Sequence, residues 1–233
     1  MIDWHSHLLP KMDDGSKSVE QSIEMLHRQA QQGITTVIAT PHFFANDDTI
    51  DSFLKRREQS ANALSARVDD TLPQVIPGAE VRYFSGISRM EGLGDLCIQG
   101  TKLLLMEMPM IPWTDAMVRE LTQLAGKGDV QLIMAHIERF RRFMSMDMWE
   151  QLVQNDILIQ VNADFFTAFG TRRKALSLLR DGGIHLIGSD CHNLTSRPPV
   201  AGDAYACIQK KLGRDFITQM NEYGAFLLGQ NNL

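Results

Sequence analysis

His5 and His7 stand two residues apart in the opening run Ile2-Asp3-Trp4-His5-Ser6-His7. On an extended backbone alternate side chains share one side, so both imidazoles point the same way. Two neutral imidazoles on one face suit a metal ion. Asp13 and Asp14, just before Gly15, supply carboxylates that would neutralise its charge, and spacing alone does not choose between them. A His-x-His pair by itself recurs by chance. Here the same chemistry recurs downstream, in His42 after Pro41, Glu80, Glu107, His136, Asn162, and Asp190 with His192. Five imidazoles and several carboxylates, with no ligand cysteine among them, suit Mn, Fe or Zn. That many carboxylates call for more than one ion, because one divalent ion would leave surplus negative charge. A bidentate Glu107 could bridge two ions about 3.5–4 Å apart. The plainer reading pairs Glu107 with Arg82 or Arg119, yet a Glu closing a Leu-rich run is costly to bury uncompensated.

Other residues carry weaker signals. His27 on an early helix and His185 inside a late strand read as structural, one at the surface and one in the core. Asp3 reads as a structural group or one that supports a ligand. Arg139, within a turn of His136, and Arg197, on a loop before Pro198 and Pro199, could each fork onto a phosphate. The ordinary fate of such arginines is solvation, which is the reading for Arg141 and Arg142. Phe43, Phe44, Phe165 and Phe166 follow candidate site positions and could hold an aromatic ring, although such residues more often pack. Cys191 to Arg197 matches the Cys-x5-Arg spacing of thiol-dependent tyrosine phosphatases. That loop usually needs glycine to wrap its N–H groups around phosphate, and none intervenes here. Asp190 also sits directly before the sulfur and opposes a thiolate, so the match reads as coincidence.

These residues must be carried by regular elements. A first strand spans Met1 to Trp4, and Ser18-Val19-Glu20-Gln21 is a capping-box pattern opening a helix that ends near Gly33. The β-branched run Ile34 to Thr40 reads as a buried strand stopped by Pro41. A charged helix covers Thr49 to Arg67, and Gln74 to Tyr83 is a third strand with an irregularity at Gly78. Leu103 to Met106, Val130 to Ala135, Ile157 to Val161 and Ile184 to Gly188 complete the strands. Helices lie between them at Asp115 to Ala125, after His136, and at Thr171 to Arg180, with more from Val200 onward. Strand–helix alternation about seven times over predicts an α/β protein, a distorted (β/α)7 TIM-like barrel. Every candidate ligand falls at or just past the carboxyl end of a predicted strand, and in such a barrel those ends converge on one mouth.

The 233 residues show no linker, repeat or low-complexity stretch, so residues 1–233 read as a single domain. A net charge of −5 argues against nucleic acid or an anionic membrane as partner. No apolar run approaches the roughly 20 residues of a membrane span. The N-terminus lacks the basic flank and apolar stretch of a signal peptide. Three scattered cysteines, Cys97, Cys191 and Cys207, make no disulfide framework. The expected location is the cytoplasm.

The motifs His5-Ser-His7-Leu-Leu-Pro, Asp13-Asp14-Gly15, Ala39-Thr-Pro-His42, Gly78-Ala-Glu80-Val, Glu107-x-Pro109, Ala135-His136-Ile-Glu-Arg139 and Ser189-Asp190-Cys-His192-Asn resemble the polymerase and histidinol phosphatase (PHP) superfamily. Within it, the chain is most similar to the bacterial capsular/exopolysaccharide-type protein-tyrosine phosphatases, in order from residue 2 to about Pro199. The resemblance implies the PHP fold and three divalent ions, Mn first, with Fe, Zn or Co as alternatives. It implies His5, His7, Asp190 and a bridging Glu107 on one ion. His42 and His136 would share Glu107 on a second, and Asp14, Glu80 and His192 would hold a third. It makes Arg139 and Arg197 the phosphate-binding arginines. It further implies hydrolysis of phosphotyrosine on a protein, a bacterial tyrosine kinase of polysaccharide export. Histidinol phosphate or another small phosphomonoester is the alternative substrate. A regulatory module that binds a kinase without turnover is the alternative class, opposed by ligands intact at every motif. No long insertion follows the strands as a lid, so the mouth should admit a protein tail.

Overall fold

The computed structural model describes residues 1–229. Nine strands are all parallel: β1 (Ile2–Ser6), β2 (Thr36–Ala39), β3 (His42–Phe43), β4 (Gln74–Pro77), β5 (Glu80–Arg82), β6 (Leu103–Glu107), β7 (Gln131–Met134), β8 (Leu158–Asn162) and β9 (Leu186–Gly188). They form one sheet in the order β1-β2-β4 and another in the order β3-β5-β6-β7-β8-β9. The seven expected strands become nine because two are interrupted. Pro41, which has no N–H to give a ladder, separates β2 from β3, and Gly78-Ala79 separates β4 from β5. The result is a curled parallel half-barrel with eight α-helices among the described residues.

The helices are α1 (Val19–Gln31), α2 (Ile50–Ser65), α3 (Asp115–Gly126), α4 (Met146–Gln154), the short α5 (Asp164–Thr167), α6 (Arg172–Arg180), α7 (Ala201–Leu212) and α8 (Arg214–Leu227). Ser18 caps α1 by accepting from the Gln21 N–H, as its sequence pattern predicts. The reciprocal bond differs, because Gln21 Oε1 accepts from Lys17 N rather than Ser18 N. Thr49, Thr114 and Ser145 cap α2, α3 and α4 in the same manner.

Strand alternation divides the core into two layers. Leu104 and Met106 of β6, with Leu132, Met134, Ile159 and Val161, join helix residues such as Leu26, Leu121, Trp149 and Ile208. Leu103 and Leu105 belong to a smaller cluster with Ile133, Leu158 and Leu186. Glu107 has the parity of Leu103 and Leu105, so β6 carries its carboxylate from that apolar layer to the end of the strand. Each such Leu contributes about 1.5–3 kcal/mol by burial, which fixes the strands on which the polar cluster stands. No helix among the described residues is long and apolar enough to cross a membrane.

Candidate metal centre

The candidate ligands from seven separate chain segments meet at one end of the strands. His5 Nε2 lies 3.0 Å from His7 Nε2. Asp190 Oδ1 is 3.6 Å from the first nitrogen and 3.5 Å from the second, and Glu80 Oε2 is 3.5 and 3.4 Å away. Glu80 also reaches His42 Nδ1 at 2.8 Å and His136 Nε2 at 2.9 Å. Asp14 faces His42 at 3.6 Å and His192 at 3.3 Å. Four overlapping groups place all their ligand atoms within 4.8 Å of one another: His7, Asp14, His42 and His192; His5, His7 and Asp190; His5, Glu80 and His136; and His42, Glu80 and Glu107.

The two aspartates of the Asp13-Asp14 pair separate in space. Asp13 accepts from His7 Nδ1 at 2.7 Å and from the His42 and Gly15 backbone N–H groups, whereas Asp14 turns its 66% exposed carboxylate to the imidazoles. Gly15 makes this turn possible: a Cβ there would stand 2.1 Å from the His7 carbonyl oxygen. Gly188 does the same for the neighbouring strands, since its Cβ would lie 2.5 Å from that of His5 and 2.7 Å from Gln160 Nε2.

Three of the five imidazoles have Nδ1 tied away from the cluster. His7 meets Asp13, His5 meets Gln160 Oε1 at 3.3 Å, and His192 meets the Asp190 carbonyl at 2.9 Å. An acceptor at Nδ1 places the proton there and leaves Nε2 as a lone pair directed inward, the arrangement found behind metal-bound histidines. The sequence reading missed Gln160. Its signal was a polar side chain in the middle of the apolar run Ile157 to Val161, where burial demands a partner. Its Oε1 also accepts from the His136 N–H at 2.7 Å. His136 and Asp190 both have positive φ, 29° and 53°. Such backbone is costly for non-glycine residues and concentrates at functional sites.

Charge is crowded here. Burial alone would lower the His7 pKa, but Asp13, Asp190 and Glu80 outweigh it and hold it well above the usual value. Burial would raise Glu80, and His5, His136 and His42 instead hold it well below the carboxylate range. Asp190 is likewise depressed by His5 and His7 against its burial. Burial, aided by His7, pushes His192 down to about 4.

Glu107 lies at the edge of the cluster, in one ligand group with His42 and Glu80. Its Oε2 accepts from Arg82 Nη1 at 2.5 Å, the plainer pairing, while Oε1 stands 3.7 Å from His136 Nε2. Glu80 occupies the middle of the imidazoles instead. Arg139 Nη1 and Arg197 Nη2 converge on Asp190 Oδ2 at 3.2 and 2.7 Å, beside a cleft of about 490 Å³ also lined by Glu138 and Asn162. Asn162 Nδ2 donates to that same oxygen at 3.0 Å. Glu138, which sequence reading passed over, holds the Asn162 N–H at 3.2 Å, and burial pushes its carboxyl up to about 8.

Several expectations are corrected by packing. Phe43, Phe165 and Phe166 are 1%, 4% and 0% exposed and belong to the core, so they cannot grip a ring at the rim. Phe44 alone of the four is exposed, its ring 5.3 Å from that of His42. Cys191 is fully buried, and burial with the neighbouring Asp3 charge pushes its thiol up to about 12, which removes it as a nucleophile. Asp3 is structural, accepting from Ser189 N and Oγ and from His5 N. His27 is exposed, and His185 binds the Ile159 backbone N–H through Nδ1. Arg141 and Arg142 are exposed and lie over Phe165 and Phe143.

A family model for capsular polysaccharide synthesis, CpsB/CapC, matches residues 1–225. Tyrosine-protein phosphatase YwqE of Bacillus subtilis (strain 168) is 31% identical, over 98% of this chain and 91% of its own. Tyrosine-protein phosphatase CpsB of Streptococcus pneumoniae is 29% identical, over 91% of each chain. A chain from the crystal structures of YwqE from Bacillus subtilis and CpsB from Streptococcus pneumoniae, described as unique metal-dependent tyrosine phosphatases, superposes with a TM-score of 0.82 at 27% identity, over 100% of this chain and 96% of that one. With its His, Asp and Glu cluster at the strand ends and this match along almost its whole length, the chain belongs to the CpsB/CapC family of capsular polysaccharide synthesis.

Proposed function

We propose that this chain is a metal-dependent protein-tyrosine phosphatase whose substrate is a phosphotyrosine protein, a tyrosine kinase of capsular or exopolysaccharide export. The observation that carries the metal is the 3.0 Å approach of His5 Nε2 to His7 Nε2 with Asp190 and Glu80 oxygens close to both. Two imidazole nitrogens about 2.0–2.1 Å from one ion stand roughly 3 Å apart, so the pair fits a shared cation. His136 Nδ1 and His192 Nε2 are buried without hydrogen-bond partners, and His192 Nε2 faces Asp14 across a gap suited to another ion. We assign His5, His7, Asp14, His42, Glu80, Glu107, His136, Asp190 and His192 as ligands of three divalent ions, Mn first. Glu80 is the shared carboxylate in this reading, and a bridging Glu107 requires release from Arg82.

Bound ions supply charge neutralisation and a water that ionises near neutral pH. The chain's own residues do the rest. Asp13, Gln160 and the Asp190 carbonyl fix the tautomers of three imidazoles. Arg139 and Arg197 exchange Asp190 Oδ2 for the phosphate's equatorial oxygens, where paired guanidinium forks stabilise developing charge. Water attacks phosphorus in line, the bond to the phenolic oxygen breaks, and tyrosine and inorganic phosphate leave. A phenol of pKa about 10 needs less protonation on departure than an alcohol. No phosphoenzyme forms, in keeping with the buried, protonated Cys191.

The exposed Phe44 beside His42 supports an aromatic substrate. We infer that residues 1–233 act as one domain in the cytoplasm. We also infer that the half-barrel closes as a distorted seven-stranded PHP barrel. Bonds from Asp190 N to the His5 carbonyl and from His7 N to the Cys191 carbonyl, each 2.8 Å, support closure between β1 and the end of β9. Steady-state kinetics on a phosphotyrosine peptide, a phosphoserine peptide and histidinol phosphate test the substrate. The phosphotyrosine peptide should have the highest kcat/KM. A tenfold advantage for histidinol phosphate, about 1.4 kcal/mol in transition-state binding, would replace this reading with a small-molecule phosphatase.

A further inference from the structure

A groove of about 610 Å³ runs between the loop after β1 and the helices α1 and α2, lined by Lys11, Met12, Ser18, Gln59 and Ser60 among others. It adjoins a second recess of about 430 Å³ that contains Asp14, His42 and Phe44, and the two share Met12 and Arg56 as walls. Met12 and Arg56, the latter paired with Asp48 at 2.6 Å, thus stand at the border between the recess of the candidate metal ligands and the groove beside α2. Each recess is within the usual size of a ligand site, roughly 300–1,000 Å³.

The walls are held in place. Ser60 Oγ of α2 donates to the Pro10 carbonyl at 2.7 Å, and Lys11 N donates to the Ser16 carbonyl at 2.8 Å. Lys11 itself has a positive φ of 61°, so the loop carries a side chain where glycine would be easier. Its ammonium is exposed, and no hydrogen bond or ion pair engages it among the described residues.

The charge of this groove runs against that of the chain. Lys11, Arg56 and Arg67 line it with a single carboxylate, Glu20, in a protein of net charge −5; Arg56 is held by Asp48 at 2.6 Å, which leaves Lys11 and Arg67 as its available cations. Arg67 meets Glu20 at 3.6 Å through side chains 60% and 71% exposed, a loose pairing that leaves the guanidinium open to a second anion. The inner recess is the opposite, with Asp13, Asp14, Asp47 and Asp48 around His42. A peptide whose phosphate sits at Arg139 and Arg197, with its chain leaving past His42 and Phe44, would lay neighbouring residues along the outer groove, where carboxylate side chains find Lys11 and Arg67.

We propose that this groove is the docking subsite for the peptide flanking the phosphotyrosine, with Lys11 and Arg67 selecting acidic side chains there. The proposal rests on the phosphatase reading above. The test compares two phosphotyrosine peptides, one flanked on both sides by Glu and one by Gln, with p-nitrophenyl phosphate, which is too small to extend into the groove. The metal-loaded wild type should favour the Glu peptide over the Gln peptide by about fivefold in kcat/KM, mainly through KM, and raised salt should erase the difference. In Lys11→Glu/Arg67→Glu the preference should vanish or invert, with the Glu peptide falling relative to p-nitrophenyl phosphate. Lys11→Arg/Arg67→Lys should restore it. An active wild type with no preference, or a charge-reversed variant that keeps it, overturns the docking subsite alone. A metal-loaded wild type that hydrolyses none of the three substrates overturns the phosphatase reading and the subsite with it.

Discussion

Arg197 Nη2 lies 2.7 Å from Asp190 Oδ2, while the other oxygen of that carboxylate faces His5 and His7 at 3.6 and 3.5 Å. One side chain thus joins the imidazole cluster to the arginine pair, because Arg139 reaches the same Oδ2 at 3.2 Å. In the proposed site, the phosphate-binding and metal-binding halves would share this carboxylate as a wall.

From that geometry, Arg139→Ala and Arg197→Ala should each lower kcat/KM by about 10- to 1,000-fold, as loss of one charge-stabilising donor does. Bound metal should remain, since neither guanidinium belongs to the ligand groups. Elemental analysis beside phosphotyrosine-peptide kinetics checks both halves. Near-normal kinetics in both variants would return the arginines to the role of solvated surface residues.

Cys191→Ser should keep most of its turnover. A buried thiol pushed up to about 12 supplies almost no thiolate at neutral pH. A variant that retains its metals but loses essentially all activity would instead point to a thiol nucleophile.

How much of this was legible beforehand differs by level. The apolar runs carrying His42, Glu107 and His136 could be read directly, because buried parallel strands are continuous in sequence. The breaks at Pro41 and Gly78-Ala79 set the irregularity of the strands, yet not that it splits the sheet in two. Convergence of the ligands followed from strand polarity. The centre did not: Glu107 ends β6 while Glu80 opens β5 after the Gly78-Ala79 break, and only the neighbour Arg82 draws Glu107 aside. Gln160 and the orienting role of Asp13 escaped because such roles depend on partners far away in sequence or on a loop turn. The paired phenylalanines misled, since Phe43 faces the core from β3 and Phe165 and Phe166 both pack into it from the short helix α5.

His185 offers a pH test away from the candidate ligands. Burial lowers its pKa below 6.5, and Nδ1 accepts from the Ile159 N–H at 3.0 Å, so the folded protein keeps it neutral. The unfolded chain takes up a proton near pH 6.5 and the folded one does not. Stability from this group is therefore complete above that pH and lost as pH falls below it, by at most about 1.4 kcal/mol per pH unit. His185→Gln should show a shallower decline of Tm between neutral pH and pH 5 than the wild type, both measured in chelator. Parallel curves would contradict the assignment.

The central claim is that turnover depends on ions held by this cluster. The direct measurement is phosphotyrosine-peptide hydrolysis before chelation, after exhaustive chelation with metal content determined, and after adding back Mn. Activity should disappear with the metal and return with Mn. Full activity in protein shown to be free of metal would contradict the account.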